Sequence, residues 1–222
     1  MNKGTCYICG QPATSDEHAP AKSFFPNGFR QNLVTVRSCE VHNENTSMDD
    51  EYVRIYLCGS IHSNIQAFNL FTSKIVRSLQ KSQPLMQLVM RGATQVTTAS
   101  GPTLALMLDR TRFDKTIKKY SYALFNHRFN KIWNRGLIVA TPFLVNNDMS
   151  QDELGEFITE IKSEHSSVFG DNPTDGNNPQ VFRYEFQQSE SEDENDVVLW
   201  MKFYEGFEIF VMPIIGSTEA TL

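Results

Sequence analysis

Long apolar runs are absent from this chain of 222 residues, and with them any stretch of about 18 residues able to form a membrane-spanning helix. The opening segment, Met1-Asn2-Lys3-Gly4, has no apolar core of the kind a secretory signal carries. The expectation is a cytoplasmic protein with no membrane partner. Cysteine is scarce, at 4 residues. Three of these fall in short pairs of metal-binding type and Cys58 stands alone, a pattern that suits metal binding better than a disulfide framework. Acids are nearly missing from residues 70–140, which hold 12 basic and 2 acidic side chains, whereas residues 141–222 hold 3 basic and 17 acidic ones. The net charge of −6 therefore averages over a strong polarity. An apolar fraction of 40% with 16 Phe supports a real core and argues against wholesale disorder.

Two short pairs, Cys6-x2-Cys9 and Cys39-x2-His42, bracket 29 residues. Ligands two residues apart let one tight turn supply two corners of a tetrahedron, so Cys6, Cys9, Cys39 and His42 are read as a closed, structural Zn²⁺ site. Metal binding is itself folding free energy, so the ion would fix whatever the loop carries. The bracketed segment holds Asp16-Glu17-His18 and Asn32. His18 has the one side chain whose unperturbed pKa lies near neutrality, and it could take a proton from an attacking water. Glu17 could hold an oxygen-preferring divalent cation such as Mg²⁺, and Asn43 could complete that ion's ligands. Adjacent strand residues point to opposite faces, so Glu17 and His18 reach one phosphate only if the backbone twists there.

The fold expected is α+β. Residues 1–57 form a first module, in which Asn32–Arg37 reads as a strand and the acids after Thr46 and Ser47 read as a helix start. Residues 58–222 form a helical region followed by a C-terminal antiparallel sheet. Helices are expected over Ser63–Met90, interrupted at Pro84, and over Leu104–Trp133, with a polar break over Gly92–Pro102. Leu137–Leu144 reads as a short buried strand, Asp152–His165 as an acidic helix, and Gly170–Pro179 as a loop. Alternation marks strands at Val181–Phe186, Val197–Phe203 and Phe207–Met212, with a solvated acidic loop over Glu190–Asp196 and a tight turn at Gly206.

The segments Cys6-x2-Cys9, Asp16-Glu17-His18-Ala19-Pro20, Asn32-Leu33 and Cys39-x2-His42-Asn43 together resemble the HNH endonuclease motif in its zinc-bound form. The resemblance covers about the first quarter of the chain and implies a ββα-metal finger. It implies His18 as general base, Asn32 as the residue bracing the loop that orients it, and Asn43 as the third motif position. The acid before the histidine, here Glu17, would bind the catalytic metal. One departure is that the second pair usually ends in Cys. His42 is read as the fourth zinc ligand; the competing alignment makes it the third motif residue and leaves the tetrahedron one ligand short.

The resulting expectation is an endonuclease that hydrolyses DNA phosphodiester bonds, with RNA as a second candidate substrate. Arg110, Arg112, Lys115, Lys118 and Lys119 would hold the backbone by charge without reading sequence. The bland alternative for that stripe is a solvated helix face. The rival function is a zinc-stabilised module that recognises nucleic acid or protein and cleaves nothing. The acidic last third is expected to face a protein partner or a second subunit, or to restrain the basic surface. His62, His127 and His165 carry no partner pattern, and Tyr120, Tyr122, Phe125 and Phe129 read as helix core.

Overall fold

The computed structural model describes residues 4–43, 47–98, 101–142, 172–188, 193, 195–214 and 216–217. The expected acidic helix over Asp152–His165 lies outside them. The architecture is α+β. Strands β1 (Ser15–His18) and β2 (Thr35–Ser38) pair antiparallel, with Glu17 opposite Val36 and His18 opposite Thr35. A single helical turn, α1 (Glu40–Asn43), follows, and then α2 (Ser47–Gly59). Asp49 and Asp50 stand in the first turn of α2, where the helix dipole favours acids, and Tyr52, Val53, Ile55, Leu57 and Cys58 are buried.

Helix α3 (Ile65–Leu70) starts at Asn64, whose side chain accepts from the Gln66 and Ala67 N–H groups. It runs through a π-helical turn (Phe71–Ile75) into α4 (Val76–Lys81), and α5 (Gln83–Met90) begins anew. The break is set by Ser82, whose hydroxyl caps α5, and Pro84 sits in the first turn of the new helix, where its missing N–H costs nothing. The expected polar break is instead a two-stranded ribbon, β3 (Thr94–Thr98) with β4 (Gly101–Ala105). Its Thr and Val residues suit a pleated strand better than their polarity suggests. Helix α6 (Arg110–Phe129) is capped by Asp109 and ends at Asn130, which takes the left-handed conformation at φ 55°.

The C-terminal sheet has the order β5-β9-β8-β7-β6, all antiparallel: β5 Leu137–Ala140, β6 Asp175–Asn178, β7 Phe182–Gln188, β8 Val197–Phe203 and β9 Phe207–Pro213. Strand β6 occupies part of the expected Gly170–Pro179 loop. In the β8–β9 turn the left-handed residues are Tyr204 (φ 48°) and Glu205 (φ 63°). Gly206 serves a different purpose, since a Cβ there would collide with the His62 carbonyl oxygen. It lets the loop before α3 close onto the sheet, where Asn64 N–H donates to Tyr204 O at 3.1 Å.

One buried cluster runs through both halves of the chain, from Cys6 and Tyr7 to Ile209 and Val211. The expected boundary at residue 57 falls inside α2. Phe24, from the β1–β2 loop, is fully buried, and its ring meets Tyr120 of α6 at 5.8 Å and Phe203 of β8 at 5.9 Å. Burying such a ring stabilises by about 1.5–3 kcal/mol, so the loop is anchored to the rest of the molecule. The aromatic residues of α6 are core, as expected: Tyr120, Tyr122 and Phe125 are buried, and Phe125 stacks on Trp133 at 4.8 Å. The described part of the acidic run is tied down: Asp193 and Asp196 pair with Arg135, and Trp133 Nε1 donates to Asn195 O.

Candidate functional site

The turn that carries Cys6 and Cys9 is built by its backbone. Cys6 N–H donates to Gln11 O at 2.7 Å, and Gly10 N–H to Cys6 O at 3.0 Å, with Gly10 at φ +70°. The second pair follows the end of β2, Cys39 directly after it and His42 in α1. His42 N–H and Asn43 N–H both donate to Cys39 O, and this helical turn carries the His42 ring over the Cys39 sulfur. His42 Nδ1 lies 3.4 Å from Cys6 Sγ and 3.3 Å from Cys39 Sγ, and Cys9 Sγ lies 3.8 Å from Cys39 Sγ. A tetrahedral zinc with ordinary bond lengths needs edges of about 3.8 Å between sulfurs and about 3.6 Å between sulfur and nitrogen.

All four ligand atoms lie within 4.8 Å of one another, so Cys6, Cys9, Cys39 and His42 could hold a metal ion such as zinc. Burial raises the Cys6 thiol, but the N–H groups of Cys9, Ile8 and Cys39 and the His42 ring outweigh it and draw the thiol to about 6. Cys9 is pushed up to about 11 by burial of its sulfur and by the neighbouring thiols. The set therefore holds one sulfur already inclined to the thiolate form that metal binding requires.

Strand alternation divides the remaining candidates. On β1 Glu17 is buried, while Asp16 and His18 point the other way. The Glu17 carboxylate accepts from Tyr7 Oη at 3.0 Å and pairs with Lys119 Nζ at 3.0 Å. Lys119 also pairs with Asp50 at 2.8 Å, and Asp50 accepts from Tyr120 Oη at 2.6 Å. Burial, then Glu17, holds the Tyr7 hydroxyl well above its usual value, and burial, then Asp50, does the same for Tyr120, so both remain donors. Glu17 and Lys119 thus face each other in the core, from where neither reaches a cation or a phosphate on the surface. Asn43 donates from Nδ2 to Ser15 Oγ at 2.7 Å, on the Glu17 side of β1. Glu17 and Asn43 do not fit a Mg²⁺ site on the face that His18 occupies.

On the outer face His18 Nδ1 lies 2.9 Å from Thr35 Oγ1. The Thr35 hydroxyl donates its single proton to Leu33 O at 3.2 Å, so toward His18 it acts as acceptor. In the neutral ring this places the proton on Nδ1 and the lone pair on Nε2, which has no hydrogen-bond partner among the described residues. Beside this pair, Asp16 and Arg37 form an exposed cross-strand ion pair at 3.0 Å. Asn32 stands in the loop before β2 at φ 51°, and its carbonyl accepts from Asn177 Nδ2 at 3.1 Å.

The basic residues of α6 serve the fold more than a surface. Arg110 donates to Thr141 Oγ1 and Val139 O and pairs with Asp114. Arg112 pairs with Asp49 at 3.3 Å and lies over the Tyr52 ring. Lys119 is buried, Lys118 is half-buried, and Lys115 is exposed. Exposed cations that motif reasoning passes over are Lys74, Arg77 and Lys81, along one face of the π-turn and α4; their spacing of three and then four residues is the signal. Thr35 also escapes motif reasoning, although strand pairing could have found it opposite His18.

No described helix is long and apolar enough to cross a membrane. No protein-family model matches the chain, nor does any curated protein or solved structure.

Proposed function

We propose that this protein is a zinc-stabilised nuclease of HNH-like design that hydrolyses phosphodiester bonds in DNA. The observation carrying the proposal is the His18–Thr35 pair, which orients the half-buried ring with Nδ1 engaged and Nε2 without a hydrogen-bond partner among the described residues. In the proposed step, His18 Nε2 takes a proton from water, the hydroxide attacks phosphorus, the bond to the leaving sugar oxygen breaks, and that oxygen takes a proton from solvent water. Zinc at the four ligands would be scaffolding, holding β1 and β2 at the ends of their loop. No step is assigned to a second ion, because Glu17 is already neutralised by Lys119.

A second function is favoured by that same burial of Glu17: a zinc-stabilised module that binds nucleic acid or a protein without cleaving. Nicking of supercoiled plasmid by the wild type and by His18→Ala, with Mg²⁺ and with EDTA, separates the two. The nuclease proposal requires His18→Ala to lose activity at unchanged zinc content. Equal nicking by the two proteins removes His18 from the chemistry, and no nicking by either leaves the binding module standing. A parallel RNA digest assigns the substrate.

A further inference from the structure

A cleft of about 650 Å³ opens beside the β1–β2 loop. One wall is the loop itself, with Phe25 and Asn32; another is the last turn of α6, with His127 and Arg128; the third is the β6–β7 edge of the sheet. Its rim is preformed, because Asn177 Nδ2 donates to Asn32 O and Asn178 Nδ2 to Gln31 O, each at 3.1 Å. Gly176, at φ +119°, allows the close crossing there, since a Cβ would meet the Phe182 carbonyl at 2.7 Å. The volume lies within the range of small-molecule sites, about 300–1,000 Å³.

The polar groups in the cleft are of mixed kind. The Arg128 and His127 side chains are exposed and make neither an ion pair nor a hydrogen bond among the described residues. Asp175 supplies an anion, and the Tyr184 hydroxyl is influenced by both charges. Burial, then Asp175, pushes that hydroxyl up to about 12 against the pull of Arg128, so it stays a donor. Phe25 and Phe182 add apolar surface. A cation, an acceptor and the small apolar surface left open by the nearly buried Phe25 and Phe182 together match a ligand with an anionic group, hydrogen-bonding edges and a ring.

We infer that the cleft binds a single nucleotide of the nucleic-acid strand, with its phosphate on Arg128 and His127 and its sugar and base against Phe25, Phe182 and Asp175. This rests on the nuclease proposal for the identity of the strand. Ala19 and Val34 line the cleft, and each is the chain neighbour of a residue in the His18–Thr35 pair. Ala19 N–H donates to Val34 O at 3.1 Å. The cleft therefore begins one residue along each chain from the His18–Thr35 pair.

The test is calorimetric titration of the zinc-loaded full chain with a deoxynucleoside 5′-monophosphate, the matching ribonucleotide, the nucleoside alone and inorganic phosphate. The nucleotides should bind more tightly than nucleoside or phosphate, Arg128→Ala should weaken them roughly tenfold, and His127→Ala should weaken them less. Arg91→Gln, at an exposed position outside the cleft, should bind nucleotide as the wild type does. Absence of nucleotide binding overturns the inference. So does equal affinity for phosphate and nucleotide, which would mark an anion site only, or an Arg128→Ala protein that binds unchanged. If Arg128→Ala loses binding while His18→Ala nicks plasmid like the wild type, the cleft is a nucleotide site and His18 is not the base, so the inference stands while the nuclease assignment of His18 falls.

Discussion

Thr35 faces His18 across the β1–β2 ladder, its hydroxyl 2.9 Å from Nδ1 and its proton spent on the Leu33 carbonyl. Two short strands thus place a histidine on the surface and set its tautomer. If His18 is the base, Thr35→Val should lower the nicking rate by roughly ten- to a hundredfold, as removal of an orienting partner does elsewhere. Thr35→Ser should retain most of the rate. His18→Ala should lower it by about a hundred- to ten-thousandfold. Circular dichroism and zinc content should be unchanged in all three.

The four-ligand cluster predicts one zinc per chain. Substituting Cys9→Ala, at the exposed corner, should abolish stoichiometric zinc in elemental analysis and lower the melting temperature. EDTA should lower the wild-type melting temperature and leave that of the variant in place, because the variant has no metal to lose.

Lys119 is shared by Glu17 and Asp50, which makes its loss unequal to theirs. Lys119→Met leaves two buried carboxylates without a cation and should cost about 3–5 kcal/mol. Glu17→Gln keeps a hydrogen-bonding partner for Tyr7 and leaves Lys119 its Asp50, so it should cost less. Urea denaturation of the two variants checks the order. A larger loss from Glu17→Gln would mean that Lys119 is not the hub.

Cys58, buried and beside Tyr204, is pushed up from 9.0 to about 12, chiefly by burial. The folded value is the raised one, so this contribution to stability is fully present below pH 9 and is lost as the pH climbs toward 12. Thermal melts of zinc-loaded protein should fall from pH 9 upward. Cys58→Ala should start lower at neutral pH and fall less steeply between pH 9 and 10, before the buried tyrosines Tyr204, Tyr7 and Tyr120 begin to ionise. An identical slope in the variant would exclude Cys58 as the source.

If nucleic acid is the partner, its phosphates should depend on Lys74, Arg77 and Lys81 more than on Arg110 and Arg112, which are engaged within the fold. The triple change of Lys74, Arg77 and Lys81 to Gln should weaken DNA binding and reduce the salt slope by about 0.9 for each phosphate no longer neutralised. Arg110→Gln should lower stability with little change in that slope. Fluorescence anisotropy across a salt series measures both.

Whatever depends on near neighbours was legible in the chain alone. The spacing of Cys6, Cys9, Cys39 and His42 specified a four-ligand cluster because each tight turn closes locally. The alternation of the last three strands specified their pairing. Period two put Glu17 and His18 on opposite faces of β1. Which of those faces is buried was chosen by packing, when α6 settled against β2 and α2 and brought Lys119 to Glu17 and Asp50. The same packing turned much of a basic stripe inward, since a charge count carries no information about where a helix face lands. Strand β6 and the β3–β4 ribbon were illegible for a related reason. Their Gly, Asn and Thr residues resemble loop, and only a partner strand's hydrogen bonds make them extended. The cleft with Arg128, His127 and Asp175 likewise joins residues remote in sequence, which only the folded chain brings together.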